Sequence, residues 1–106
     1  FRHIGETLGP FDLAIMENGQ YNERWARIHL MPEEAAQAAV DVGAKTVLSV
    51  HNGKFALSRH RWDEPYRRLA AASAGKPYSL LTPKIGEALY IGDDRQVFGP
   101  WWEQMT

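Results

Sequence analysis

The sequence predicts an α/β domain in which strands and helices alternate along the chain. A short apolar run at residues 11–16 follows Gly-Pro and precedes Asn-Gly, which is typical of a buried strand. A helical segment beginning at Pro32 comes next, and a β-branched apolar run at residues 45–50 follows it. A strand, a helix and a strand within about forty residues indicate a βαβ unit with parallel strands and a right-handed crossover.

The helix at Pro32 has clear start and stop signals. Proline is favoured in the first turn, and Glu33 and Glu34 lie where the positive end of the helix dipole favours carboxylates. Alanines form most of its apolar body, and Gly43 supplies the left-handed stop. Residues 17–31, before this helix, have no clean period and predict a long loop with one helical turn around residues 22–27.

The second half of the chain predicts a surface helix and then a hairpin. Asp63 can cap a helix over residues 64–74, whose apolar stripe is thin. Short apolar runs at residues 78–81 and 87–91 flank a turn and suggest two strands in a hairpin. We expect one domain over residues 1–106, with residues 93–106 as a C-terminal tail without a predicted element.

Composition excludes several classes of protein. The 106 residues suffice for one domain, and 12 basic against 13 acidic side chains leave a net charge of −1. This balance argues against a nucleic-acid-binding surface, which needs a basic excess. Without cysteine there is no disulfide, thiolate nucleophile or cysteine zinc site. No apolar run approaches the roughly 18 residues of a membrane-spanning helix.

His51 is the first candidate functional residue, because it directly follows the second predicted strand. Functional groups of α/β proteins gather beyond the carboxyl ends of strands, and an imidazole there can bind a metal or move a proton. A partly buried histidine that bonds a backbone carbonyl fits the same pattern, and one histidine is not a metal site. The residues alone leave both interpretations open.

Three further side chains are weaker candidates. His29 lies just before the Pro32 helix, where it could contact a substrate or be a solvated loop residue. Glu17, just past the first strand, could border a site. Asp12 falls within the first strand, where a buried carboxylate needs a partner.

An ordered set of motifs resembles one known family. The set contains Gly-Pro-Phe-Asp-Leu-Ala, Gly-Gln-Tyr with Trp25, His-Leu-Met-Pro-Glu-Glu-Ala, Asp-Val-Gly-Ala-Lys, His-Asn-Gly-Lys-Phe-Ala-Leu, Asp-Glu-Pro and Lys-Ile-Gly-Glu. In this order they resemble the C-terminal part of metallo-β-lactamase-fold hydrolases, in the group that contains N-acyl-phosphatidylethanolamine phospholipase D and RomA-like bacterial proteins. The resemblance extends to about residue 92.

The resemblance implies a fold and a metal site. Such proteins form an αβ/βα sandwich of two mixed sheets, with a dinuclear centre, usually zinc, at one edge. This chain would supply the C-terminal half and therefore a mixed sheet. The last histidine ligand of the family opens a His-Trp-Gly segment, and its counterpart is His51, followed here by Asn52. The histidine before Pro-Glu-Glu is associated with activity in the phospholipase branch, and its counterpart is His29.

The resemblance also implies what lies outside these residues. The His-x-His-x-Asp-His signature and the bridging aspartate occur upstream in such proteins, and Phe1 is not an initiator methionine. We therefore expect a C-terminal fragment of a zinc-dependent hydrolase that is inactive alone. In the complete protein, a metal-activated water would attack a phosphodiester or a related ester or amide, with N-acyl phospholipid-like molecules as candidate substrates. The alternative is a stand-alone, non-catalytic α/β binding module in which His51 is structural.

The expected partners follow from this interpretation. They are a small-molecule or lipid-like substrate, the missing N-terminal half of the same protein, and a second copy bound through an exposed sheet face, with no nucleic acid. The expected location is the cytoplasm, with peripheral membrane association as an option.

Overall fold

The computed structural model describes residues 1–105, which form a small α/β unit. In chain order its elements are α1 (Arg2–Leu8), β1 (Ala14–Glu17), a 3₁₀ helix (Glu23–Trp25), α2 (Pro32–Asp41), β2 (Thr46–Val50), α3 (Glu64–Ser73), β3 (Ser79–Leu81) and a second 3₁₀ helix (Trp101–Gln104). The predicted strand–helix–strand order is confirmed. None of the helices in this part of the chain has the length and apolar character that crossing a bilayer requires.

The sheet is parallel throughout, in the order β1-β2-β3. Ala14 lies opposite Val47, and Val47 lies opposite Leu80. The predicted mixed sheet is therefore wrong. After β2 the chain crosses over through α3, so β3 joins the edge of β2 in the same direction.

The predicted hairpin is also wrong. Its first run forms β3, but no described strand lies at residues 87–91, where the side chains of Tyr90 and Ile91 are largely exposed. The intervening turn does close, with the Glu87 amide donating to the Lys84 carbonyl. Within the described residues β3 pairs with β2 alone, and its other edge has no strand partner.

The core lies between one face of the sheet and α2. The buried side of α2 consists mainly of alanines, whose small side chains allow the helix to approach the sheet closely. Val47 at the centre of β2 is fully buried in this cluster. Leu69 of α3 packs on Ala35 and Ala36. The helix is therefore more buried than the few apolar residues on its inner face predicted.

Asp63 precedes α3 as predicted but does not cap it with its side chain. The buried carboxylate contacts Arg61 and Arg67 instead, at 3.1 and 2.7 Å. Two guanidinium groups within reach are stronger partners for a desolvated carboxylate than the helix amides.

Both ends of the described chain contain structure that the sequence did not predict. α1 packs so closely on the end of α2 that a Cβ at Gly5 would lie 2.1 Å from the Asp41 carbonyl oxygen. In the tail at residues 93–106, whose last residue lies outside the described residues, Trp102 is buried and stacks on Tyr66 at 5.0 Å.

Candidate metal centre

The candidate site lies where β1 and β2 end. Glu17, the last residue of β1, is in register with Val50, the last residue of β2. Because parallel strands present their carboxyl ends at the same edge of a sheet, Glu17 and His51 emerge side by side. This is the edge at which α/β proteins place functional groups.

The backbone of His51 is held in an unusual conformation. Its φ is 67°, which is rare for a residue other than glycine. Gly19 lies so close that a Cβ on it would be 1.7 Å from the His51 carbonyl oxygen, so only glycine fits there. The Gln20 amide donates to that carbonyl at 3.2 Å and to the Phe55 carbonyl at 2.9 Å.

A polar network joins the ends of the two strands below the site. The buried Asn18 amide donates to Ser49 Oγ at 3.1 Å and to the Pro65 carbonyl at 3.0 Å. The Asn52 amide donates to the Asn18 carbonyl at 3.1 Å and also to Ser49. These contacts fix the strand ends and the start of α3 relative to one another, which gives His51 a rigid base.

His29 reaches the site from the long loop. One turn of 3₁₀ helix reverses the chain, and the His29 amide donates to the Trp25 carbonyl at 2.9 Å. The His29 ring meets Trp25 edge-on, with 5.9 Å between ring centroids. Its Nδ1 lies 2.5 Å from Oε1 of Glu17, and the Leu30 amide donates to Oε2 of the same carboxylate at 2.9 Å.

Three potential metal ligands therefore converge at this edge. The His29 and His51 rings are stacked with centroids 5.5 Å apart, and one ligand atom from each of Glu17, His29 and His51 lies within 4.8 Å of the others. Glu17 and His29 are partly buried, whereas His51 is exposed. Two imidazoles and a carboxylate are a donor set that zinc accepts, so the residues present fit a divalent metal ion.

The remaining candidates lie elsewhere. Asp12 is exposed and pairs with Lys45 at 3.2 Å, so the expected buried carboxylate is wrong. The sequence did not reveal the role of Glu17. Its position at a strand end suggested that it could border a site, but nothing in the sequence indicated that it contacts His29.

A polar cavity of about 550 Å³ adjoins the site and shares Trp25 with it. Its lining includes Tyr21, Arg24, Arg59 and Arg68. The Tyr21 hydroxyl donates to Glu64 at 2.8 Å, and burial together with that carboxylate raises the pKa of the phenol, so Tyr21 stays neutral. Glu23 also lines this cavity, and Arg68 is already paired with Glu33 and Glu64, so its wall carries charges of both signs.

Comparison with known proteins identifies the family. Residues 2–52, which contain Glu17, His29 and His51, match the family model of the β-lactamase superfamily domain. Residues 2–52 therefore belong to a β-lactamase superfamily domain. The group indicated by its motifs, which contains RomA and N-acyl-phosphatidylethanolamine phospholipase D, is also confirmed by its relatives.

The relatives extend the superfamily match beyond residue 52. An uncharacterized protein of Mycobacterium tuberculosis is 38% identical over 105 residues, covering 96% of this chain and 28% of the relative. Outer membrane protein RomA of Klebsiella pneumoniae is 57% identical over 54 residues, covering 51% of this chain and 41% of the relative. N-acyl-phosphatidylethanolamine-hydrolyzing phospholipase D 1 of Caenorhabditis elegans is 32% identical over 100 residues, covering 88% of this chain and 28% of the relative. The chain thus spans less than half the length of these relatives.

Proposed function

We propose that this chain is the C-terminal part of a zinc-dependent hydrolase that cleaves a phosphodiester or a related ester or amide. The observation that carries the proposal is the convergence of His51, His29 and Glu17 at one sheet edge, inside the segment that matches the superfamily. Relatives from worm and yeast are named for hydrolysis of N-acyl-phosphatidylethanolamine, which supports a lipid-like phosphodiester as substrate.

In this proposal His51 holds zinc, together with ligands from the rest of the protein. When bound, the metal would lower the pKa of a coordinated water and so supply a hydroxide near neutral pH. The rigid base under His51 and its exposed ring suit a ligand that must meet groups from elsewhere in the protein. The chain by itself is expected to be inactive.

His29 is proposed to act on the substrate. The contact between Glu17 and Nδ1 leaves Nε2 as the ring nitrogen available to take up or give a proton. Trp25 contacts the ring edge-on and helps to fix its position.

Variants of the complete protein test this assignment. We expect His51→Ala to lose one metal equivalent and most activity, whereas His29→Ala keeps the metal and lowers kcat. Metal analysis of the purified proteins and hydrolysis of N-acyl-phosphatidylethanolamine are the measurements. His3→Ala, at an exposed position in α1, is the matched control and should change neither.

Unchanged activity and metal content in His51→Ala would refute the ligand role. A complete wild-type protein that binds no metal and hydrolyses no ester or amide would favour the alternative of a non-catalytic binding module.

A further inference from the structure

Both carboxylate oxygens of Glu17 are engaged by the same short segment of the loop. Oε1 lies 2.5 Å from Nδ1 of His29, and Oε2 accepts the Leu30 amide at 2.9 Å. The side chains of Glu17 and His29 are 29% and 23% exposed, so this pair is more enclosed than an ordinary surface ion pair. The carboxylate therefore binds the histidine and the backbone next to it at once.

We infer that Glu17 is a positioning residue that fixes the orientation and the tautomer of His29. A carboxylate can only accept hydrogen bonds, so the neutral imidazole beside it must carry its proton on Nδ1. The lone pair is then on Nε2. A catalytic role for Nε2 rests on the proposed function, whereas the orientation and the tautomer of His29 do not depend on it.

Three surrounding contacts make this geometry specific. Trp25 meets the ring at its edge, His51 stacks on its face, and the Leu30 amide is a fixed backbone donor that keeps Oε2 in place. Glu17 itself ends a strand that is paired with β2, so its backbone is rigid. A histidine on a long loop thereby receives a fixed orientation from a strand.

The competing role for Glu17 is that of a third metal ligand, which the spacing of the cluster allows. In that role the second lone pair of one carboxylate oxygen would bind the metal beside the existing hydrogen bond. The two existing contacts favour positioning, and the test must separate the two roles.

The first test reads the tautomer directly in the complete protein, after removal of metal and without substrate. The protein is labelled with ¹⁵N-histidine, and ¹H–¹⁵N correlations of the imidazoles are recorded at increasing pH until the His29 signals no longer change with pH. His29→Gln assigns the signal. We expect the Nδ1–H tautomer in the wild type.

Glu17→Gln should then convert His29 to the Nε2–H tautomer. The Leu30 amide retains the single oxygen of the glutamine, so its NH₂ group faces Nδ1 and requires an acceptor there. Glu17→Asp keeps the carboxylate and should retain some Nδ1–H form, which provides a second variant if another fails to fold. Asp12→Asn, an exposed carboxylate outside the site, is the control and should leave the tautomer unchanged. An Nε2–H wild type, or a glutamine variant that keeps Nδ1–H, would overturn the inference.

The second test uses the complete protein. We expect Glu17→Gln to keep its metal and to lower kcat about 10–100-fold, the usual effect of losing a group that orients a catalytic or ligating histidine. Combining Glu17→Gln with His29→Ala should be no worse than His29→Ala alone. Loss of a metal equivalent in Glu17→Gln would overturn positioning in favour of ligation. If the complete protein hydrolyses nothing, the proposed function fails while the tautomer measurement still decides the role of Glu17.

Discussion

At the scale of single residues, His51 is notable for its backbone. A left-handed conformation costs a residue with a Cβ roughly 1–2 kcal/mol, and the fold maintains it here through Gly19 and Gln20. The close approach of Gly19 leaves the His51 carbonyl no room to move. Strain of this kind tends to occur at functional sites, which agrees with the role proposed for His51.

This strain predicts an unusual order of stabilities. His51→Gly should be more stable than His51→Ala by about 1 kcal/mol, because glycine adopts positive φ without steric cost. Both variants lack the imidazole, so its contacts cancel in the comparison. Urea denaturation of the two variants measures the difference.

The same pair of substitutions at His3 is the matched control. His3 lies within α1, where alanine is favoured over glycine by up to about 1 kcal/mol, so the order should reverse. Equal stability of His51→Gly and His51→Ala would contradict the account of the strained backbone.

At the scale of elements, the start of α3 depends on a buried charge. Asp63 is almost inaccessible to solvent, yet its hydrogen bond with Arg67 and the charges of Arg61 and Arg67 hold the pKa of its carboxyl below the usual 3.8, against the effect of burial. The negative charge is therefore favoured in the folded state. It links the residues before α3 to the first turns of the helix.

This lowered pKa predicts acid sensitivity. The folded-state pKa lies below the unfolded value, so the stabilisation is fully present above about pH 3.8 and is lost as the pH falls through the folded pKa. Asp63→Asn should lack this part of the pH dependence of the free energy of unfolding. Asp12→Asn, at an exposed site, should keep it. Urea denaturation at a series of pH values checks this, and parallel curves for wild type and Asp63→Asn would contradict it.

At the scale of the whole molecule, the two faces of the sheet differ. Val47 faces α2, so its neighbour Leu48 points to the opposite face, as does Ile15, its partner on β1. Ile15 is 61% exposed. Ile15 and Leu48 therefore place neighbouring apolar side chains on the face of the sheet opposite α2.

We predict that the chain associates through this face. Sedimentation equilibrium over a range of concentrations should show a reversible dimer, and Ile15→Lys should shift it towards monomer because a lysine there would be buried in the interface. Val97→Lys, at an exposed position outside the sheet, is the control and should have no effect. A wild-type chain that is monomeric at all concentrations would contradict the prediction.

The sequence by itself determined the elements whose signals are local. Pro32 with its following glutamates, the alanine-rich body and Gly43 predicted α2 closely, because a helix begins and ends through contacts among near neighbours. Turn residues around two apolar runs predicted β1 and β2, and the end of β2 placed His51 at a sheet edge. The motif order predicted the superfamily.

Only the tertiary structure decided which distant segments meet. The run at residues 78–81 pairs with β2 rather than with its neighbour in the chain, because strand pairing satisfies backbone groups irrespective of sequence distance. Burial of Asp63 depended on arginines reaching it from both sides. Glu17 and His29 are 12 residues apart in the sequence. They form a hydrogen bond only because the folded loop brings His29 back to the end of β1.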